Sequence, residues 1–192
     1  MVHKFNPVNQ HKLDNPERRK LLPPEETLSR LGVAEGDILA DIGCGSGYFT
    51  LPAARVIGLQ GKVYALDIMS EMLDVVRAKA EEKNYKNIEI IQTAETDFGL
   101  SDQAVQSALA CLVVHEVDDP VAFFQEAKRI LRPQGRFYIL EWTKNENSKM
   151  GPPIEERIDG SALAGVLAQG GFSVLEQFDL NAEMYAIIAE KA

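Results

Sequence analysis

The chain has 192 residues, 45% of them hydrophobic and 26% charged, which predicts one globular domain with a sizeable core. Its formal net charge of −9 argues against nucleic acid as a partner, because binding a polyanion requires clustered Lys and Arg. No apolar run approaches the ~20 residues that span a bilayer, and the N-terminus lacks the apolar segment of a signal peptide. We therefore expect a cytoplasmic protein with no membrane partner.

Residues 1–34 predict a helical arm or cap ahead of one compact domain, residues 35–192. A short helix is expected to start at Pro16, which suits the first helical position. A second helix is predicted from Glu25 to Leu31, closed by Gly32. The arm either covers a ligand cleft or packs on the outside of the domain, and the sequence leaves both interpretations open.

Several reactive side chains have an ordinary interpretation. The densest basic cluster, Arg18-Arg19-Lys20, is interpreted as a solvated helix face, with the alternative that it holds one anionic group of a small substrate. His3 and His11 are expected at the surface. Cys44 and Cys111, each at a predicted strand end, are interpreted as free thiols, because two cysteines make neither a disulfide framework nor a zinc site.

A glycine-rich turn follows the first predicted strand, Ile38 to Ile42, and leads into a helix predicted from about Gly47 to Ile57. The turn has the form Asp41-x-Gly43-x-Gly45-x-Gly47, in which glycine allows a sharp turn and close approach of a ligand to the backbone. It does not fit the dinucleotide pattern Gly-x-Gly-x-x-Gly, because Tyr48 and Thr50 stand where that pattern needs glycine.

This turn closely resembles the first motif of class I S-adenosylmethionine (SAM)-dependent methyltransferases. In that family the glycine loop lies along the methionine end of SAM, and the acid helps to hold the loop and the methionine amino group. The resemblance implies that SAM is bound here by the motif and its neighbour: Asp41, Gly43, Cys44, Gly45 and Gly47.

The second predicted strand, Lys62 to Leu66, ends in Asp67, twenty residues past the last loop glycine. A carboxylate in this position can accept hydrogen bonds from both hydroxyls of a ribose. The alternative is an acid at the N-terminus of the next helix, which is predicted from Ser70 to Lys83. The ribose interpretation is favoured because the glycine loop precedes it, and Ile68 is then expected beside the adenine.

The third predicted strand, Ile88 to Gln92, leads to the region that contacts the adenine ring in this family. By resemblance, Glu95 is expected to reach the adenine amino group and Ala94 to offer its backbone amide. For Asp97 we prefer a solvated loop acid.

The fourth predicted strand, Ser107 to Val114, is followed by His115 and resembles the family's fourth motif, where the strand end faces the transferred methyl and the substrate. Leu112, on this strand, is added to the expected cofactor contacts. His115 is the candidate general base, because its pKa suits proton transfer near neutral pH. The alternative is a histidine that makes a structural hydrogen bond.

The C-terminal part predicts a helix from Val121 to Leu131, a turn at residues 132–135 and a fifth strand from Arg136 to Trp142. In that turn Gln134 stands where the methyltransferase family usually has glycine. Glu141 and Trp142 are expected to shape the acceptor pocket, with plain packing as an open alternative for Trp142. A polar loop near the active-site rim, Lys144 to Pro153, and one more helix come before two final strands. These strands, Phe172 to Phe178 and Met184 to Ala189, are joined too closely for a helical crossover and must pair antiparallel.

Together these elements predict an α/β protein with a Rossmann-like three-layer fold, whose seven-stranded, mostly parallel sheet ends in a C-terminal antiparallel hairpin. The resemblance covers about Glu35 to Lys191 and is strongest to the small-molecule methyltransferases of ubiquinone and menaquinone biosynthesis. It implies SAM as cofactor, S-adenosylhomocysteine as product, a small-molecule acceptor and no metal. An NAD-dependent dehydrogenase is a weaker rival, and a SAM-binding sensor without turnover remains open, as do the acceptor's identity and the oligomeric state.

Overall fold

The computed structural model describes residues 16–148 and 150–192, so the expectations for His3 and His11 lie outside the described residues. The strands are β1 Ile38–Ile42, β2 Lys62–Asp67, β3 Ile88–Gln92, β4 Val105–Cys111, β5 Leu131–Trp142, β6 Phe172–Asp179 and β7 Met184–Lys191. The α-helices are α1 Pro16–Leu21, α2 Pro24–Leu31, α3 Thr50–Ile57, α4 Ser70–Glu82, α5 Pro120–Ile130 and α6 Gly160–Gln169. Two 3₁₀ turns, Val114–Glu116 and Ile154–Glu156, complete the described elements.

The seven strands form one sheet in the order β3-β2-β1-β4-β5-β7-β6. Neighbouring pairs from β3 to β5 are parallel, and β7 runs antiparallel to both β5 and β6. This confirms the predicted Rossmann-like fold and its C-terminal hairpin. Because β1 to β5 are parallel, their carboxyl ends meet at one edge of the sheet, which is where open α/β folds bind ligands.

Alternate residues of the central strands enter two different cores, as the two-residue repeat of a strand requires. Ala108 and Ala110 of β4 join the core that contains α5 and α6, whereas Leu109 joins the core that contains α2 and α3. The same alternation runs along β1 and β5. Helices therefore cover both faces of the sheet, which explains why these strands are apolar throughout.

The fourth strand is shorter than predicted. It ends at Cys111, because Leu112 has a positive φ of 59° and turns the chain into the 3₁₀ turn Val114–Glu116. The backbone N–H of Leu112 still donates to the carbonyl of Leu140 on β5. The prediction that the strand continues to Val114 was therefore wrong, and His115 lies on a turn beyond the strand end.

Two other boundaries also differ. α3 begins at Thr50 rather than near Gly47, because the glycine turn occupies the preceding residues. β5 begins at Leu131, so the predicted turn before it is instead a register irregularity within the strand. Gln134, the residue in place of the family's usual glycine, has a positive φ of 61° there.

The described part of the N-terminal arm is attached to the domain by burial and by hydrogen bonds. Leu22 and Leu28 are buried in the same core as α3. The hydroxyl of Tyr48 donates to the carbonyl of Leu22 at 2.6 Å, and the side-chain amide of Asn181 donates to the carbonyl of Leu21 at 2.8 Å. The arm thus packs against both the glycine turn and the β6–β7 hairpin.

Within residues 16–148 and 150–192, no helix is long and apolar enough to cross a membrane.

Candidate active site

A cavity of about 730 Å³ lies at the carboxyl ends of the central strands. Ten of the predicted site residues line it: Asp41, Gly43, Cys44, Gly45, Asp67, Ile68, Ala94, Glu95, Leu112 and His115. Gly47 does not line it and instead lies against Val76 of α4, where an added Cβ would be 3.3 Å away. The fold therefore brings residues from separate strands to one place, as the sequence predicted.

The glycine turn lines this cavity and is closely packed against its neighbours. Gly43, Gly45 and Gly47 all have positive φ values, of 66°, 51° and 82°. A Cβ on Gly43 would lie 2.5 Å from Cγ2 of Val113, so glycine is required there for space as well as for conformation. The backbone N–H of Gly45 donates to Oδ2 of Asp67 at 2.8 Å, which ties the turn to the end of β2.

Asp41 is a buried acid at the end of β1, with 2% of its surface exposed. Thr50 Oγ1 donates to its Oδ2 at 2.5 Å. Burial raises the pKa of Asp41 to about 6, and the negative charge of Asp67 contributes to the increase. The hydrogen bond from Thr50 and the positive charge of Arg18 lower the pKa and so oppose it. A buried carboxylate in this state is a favourable partner for a cation that enters the cavity.

Asp67 uses both carboxylate oxygens within the protein. In addition to the Gly45 contact, its Oδ1 accepts from the backbone N–H of Met69 at 2.9 Å, just before α4 begins. Burial raises the pKa of Asp67, and these backbone hydrogen bonds oppose that shift. Asp67 therefore does act as an acid at the N-terminus of α4, the alternative considered from the sequence. Each of its oxygens still has a lone pair that can accept a hydrogen bond from a ligand hydroxyl.

Ser46, in the same turn, was not singled out from the sequence. Its residue surface is 3% exposed and it lines the cavity. Its hydroxyl oxygen is buried without a hydrogen-bond partner among the described residues. A buried polar atom of this kind needs a partner from a ligand or from water. Only its position between the loop glycines signals it in the sequence.

The expected adenine region agrees with the structure only in part. Glu95 lines the cavity, and its Oε1 accepts from the backbone N–H of Asp118 at 2.9 Å. The backbone N–H of Ala94 donates to the carbonyl of Asp97 at 2.9 Å. A local bridge therefore uses this amide here, and the contact between Ala94 and adenine stays a prediction.

His115 also lines the cavity and is paired with Glu141. Its Nδ1 lies 2.8 Å from Oε2 of Glu141, whose side chain is 0% exposed. Burial by itself lowers the pKa of His115, but the hydrogen bond and charge of Glu141, with the charges of Glu116 and Glu156, raise it above its usual value. The sequence placed Glu141 near the acceptor pocket but did not predict this contact.

The rim of the cavity includes Trp142 and Met150-Gly151-Pro152, as expected for this loop. Arg157, a residue that the sequence analysis missed, is 5% exposed and holds the loop. Its guanidinium donates to the carbonyls of Thr143 at 2.9 Å and Pro152 at 3.0 Å, and also to that of Met150. No motif signals this role, because it depends on the path of an irregular loop.

The N-terminal arm also reaches the cavity. The guanidinium of Arg18 lies 4.2 Å from the centre of the Tyr48 ring and 4.0 Å from the sulfur of Cys111. Burial raises the pKa of the Cys111 thiol to about 12, although Arg18 opposes the shift. Cys44 and Cys111 are both free thiols, as predicted.

Comparison with known proteins identifies the family. Residues 40–139, about half of the chain, match the family described as methyltransferase domain. The chain is 28% identical to a demethylmenaquinone methyltransferase of Geobacillus sp. over 124 residues, which are 65% of this chain and 53% of that protein. It is 29% identical to the ubiquinone/menaquinone biosynthesis C-methyltransferase UbiE of Hahella chejuensis over 165 residues, or 85% of this chain and 63% of that protein. The chain thus spans about half to two thirds of the length of these curated relatives.

A crystal structure of a SAM-dependent methyltransferase from Aquifex aeolicus matches with a TM-score of 0.94 and 30% sequence identity. The match covers 98% of this chain and 100% of the other. The fold, the family match and this whole-length similarity agree with the cofactor expected from the glycine turn. The chain belongs to the methyltransferase domain family, within the class I SAM-dependent methyltransferases.

Proposed function

We propose that this chain transfers a methyl group from SAM to a small-molecule acceptor bound in the cavity. The observation that carries the proposal is that one cavity contains both the residues suited to SAM and the His115–Glu141 pair. When bound, SAM supplies a methyl group on a positively charged sulfur, and S-adenosylhomocysteine remains after transfer. The protein then has to align the acceptor with the methyl carbon and accept a proton.

The residues on the cofactor side fit SAM. We propose that Asp41 pairs with the methionine amino group, since its buried carboxylate has a raised pKa and favours a cation. The turn from Gly43 to Gly47, with Cys44 between its glycines, would lie along the methionine end. Its positive φ values and the 2.5 Å gap at Gly43 leave no room for a side chain there. The unpartnered hydroxyl of Ser46 supports a polar ligand at this place.

Asp67 is the proposed ligand of the ribose hydroxyls. Glu95 and Ile68 are proposed to border the adenine, with Ala94 contributing only its surface. Leu112 precedes His115 by three residues in the chain, and we propose that it contacts the cofactor near the transferred methyl. All of these residues line the cavity.

The acceptor is proposed to be a flat, largely apolar ring that carries an ionisable hydroxyl, of the quinol type. Trp142, Met150 and Met184 are apolar residues that line the same cavity as His115. The relatives named above are a demethylmenaquinone and a ubiquinone/menaquinone C-methyltransferase. His115 would accept the hydroxyl proton as the acceptor attacks. A cytoplasmic location and the absence of a nucleic-acid partner stay predictions.

Two experiments test the proposal. The first is calorimetric titration with SAM, S-adenosylhomocysteine and NAD. The second measures methyl transfer from labelled SAM to a panel of quinols and phenols. We expect binding of the first two ligands, none of NAD, and label on at least one acceptor. Binding of NAD alone would overturn the cofactor assignment. Tight SAM binding without label transfer to any acceptor would favour the sensor alternative.

Replacing Asp67 by Ala is expected to weaken SAM binding by about 1–3 kcal/mol, because ribose hydroxyls would lose their acceptor and the Gly45 turn would lose its anchor. Calorimetry at constant salt measures the change. The matched control is Asp97→Ala, since Asp97 is an exposed acid that accepts from Gly99 and does not line the cavity. Equal affinities for the two variants would rule out the ribose assignment.

A further inference from the structure

Glu141 is a fully buried acid, and its contacts concentrate on one neighbour. Its Oε2 lies 2.8 Å from His115 Nδ1, and its Oε1 accepts from the backbone N–H of His115 at 3.3 Å. Its Oε2 also accepts from the backbone N–H of Trp142 at 3.3 Å. The residue opposite it on β7, Tyr185, instead donates its hydroxyl hydrogen to the carbonyl of Ile158 at 2.9 Å. The carboxylate is thus committed to the His115 segment.

These contacts determine the protonation pattern of the imidazole. An ionised carboxylate only accepts hydrogen bonds, so the hydrogen between Glu141 and His115 belongs to Nδ1. A neutral imidazole carries one hydrogen, and Nε2 then has a free electron pair. The bond to the backbone N–H of His115 fixes the main chain as well as the ring. We propose that Glu141 is a positioning residue, which holds His115 with Nε2 ready to accept a proton from the methyl acceptor.

The inference rests on the proposed function and adds to it. In the step it describes, the acceptor's O–H bond breaks, its proton moves to Nε2, and the electron pair stays on the acceptor. The deprotonated acceptor forms a bond to the methyl carbon as the carbon–sulfur bond breaks and its electrons remain on sulfur. The bond forms either through the acceptor oxygen or through a ring carbon, which then releases its own hydrogen as a proton to solvent. Glu141 balances the resulting imidazolium charge, and the proton then leaves to solvent. Without Glu141 the ring would be free to carry its hydrogen on Nε2, where it could not accept one.

Three acids face His115 from three elements, and they act differently. Glu141 comes from β5 and contacts Nδ1, Glu116 comes from the 3₁₀ turn of His115 itself, and Glu156 comes from the second 3₁₀ turn. The Oε1 of Glu116 lies 3.8 Å from Nε2. Glu116 therefore favours a hydrogen on Nε2 and Glu141 favours one on Nδ1. Neutralising each in turn separates a general charge effect from positioning.

Nitrogen-detected NMR of ¹⁵N-labelled histidine over a pH range tests the proposal without knowledge of the acceptor. The chain has three histidines, so His115→Gln assigns the signal. We expect neutral His115 in the wild type to carry its hydrogen on Nδ1. In Glu141→Gln we expect its pKa to fall by about one to three pH units, the usual effect of removing an adjacent opposite charge. In the control Glu116→Gln the hydrogen should remain on Nδ1.

Glu141→Gln keeps the size of the side chain and an oxygen that can accept hydrogen bonds from backbone N–H groups. Thermal unfolding and SAM titration of this variant check that its fold is retained. Once an acceptor is found, we expect a lower kcat, by about 10-fold or more, with SAM affinity within about twofold of wild type. A hydrogen on Nε2 in the wild type, or an unchanged His115 titration in Glu141→Gln, would overturn the proposal. Absence of turnover in wild type would instead refute the proposed function, whatever the NMR result.

Discussion

Replacing His115 by Gln is expected to lower kcat by about 10²–10⁴-fold, the range typical for loss of a general base. The physical reason is that a carboxylate such as Glu116, 3.8 Å from Nε2, is a weaker base than an imidazole, and the buried Glu141 is committed to the imidazole and to backbone N–H groups. Single-turnover transfer from labelled SAM to a quinol acceptor measures the effect. The SAM dissociation constant should change by less than about threefold, because His115 is not among the residues proposed to hold SAM.

The pH dependence separates catalysis from a structural role. The pKa of His115 is raised, so the wild-type rate should increase with pH through a value above 6.5 as the imidazole loses its proton. This limb should be absent in His115→Gln. If the variant unfolded more easily but kept the wild-type kcat and pH profile, His115 would be the structural residue that the sequence left as an alternative. Urea unfolding of both proteins completes the comparison.

The residues that were predicted best are those whose role is set by nearby sequence. The glycine turn and Asp67 each follow a buried strand, and parallel strands bring their ends to one edge whatever the details of packing. The direct hydrogen bond between Gly45 and Asp67 is a consequence of that arrangement. The seven-stranded sheet was predictable because each strand is an apolar or alternating segment separated from the next by a turn or a helix.

The features that were missed depend on the register between distant segments. Cys111 pairs with Leu140, and this register places Glu141 beside the turn that carries His115. Nothing near His115 in the sequence specifies that register. The same holds for Arg157, which binds carbonyls up to 14 residues away within an irregular loop. Nor does the family resemblance reveal that the backbone N–H of Ala94 donates to the carbonyl of Asp97.

Replacing Asp41 by Asn is expected to stabilise the ligand-free protein and to weaken SAM binding. The pKa of Asp41 rises from 3.8 to about 6 on folding. An acid whose pKa is raised gives most stability below its unfolded value, and that stability is lost as pH rises towards the folded value. The loss approaches about 3 kcal/mol above pH 6, from a shift of about two pH units at 1.36 kcal/mol each. Asn does not ionise and can still accept from Thr50.

Urea unfolding between pH 4.5 and 7.5 measures the first effect. The stability advantage of Asp41→Asn should grow by about 2 kcal/mol over that range, because up to about pH 6 Asp41 is ionised in the unfolded wild type and still protonated in the folded one. The advantage should level off once the folded carboxylate also ionises. Glu82→Gln is the control for loss of one negative charge, since Glu82 is exposed on α4. If the stability advantage of Asp41→Asn did not change with pH, the pKa of Asp41 would not be raised in the folded protein.

Asp41→Asn should have the opposite effect on SAM binding, which it should weaken. A cation in the cavity stabilises ionised Asp41, so wild-type affinity for SAM should increase with pH up to about 6 and then level off. Asp41→Asn should remove that dependence and lower affinity at pH 7.5 by about 10-fold or more, because it removes a buried counter-charge. A variant that was more stable yet bound SAM as tightly as wild type would mean that the amino group binds elsewhere. Gain of stability with loss of affinity is the expected signature of a charge retained for its ligand.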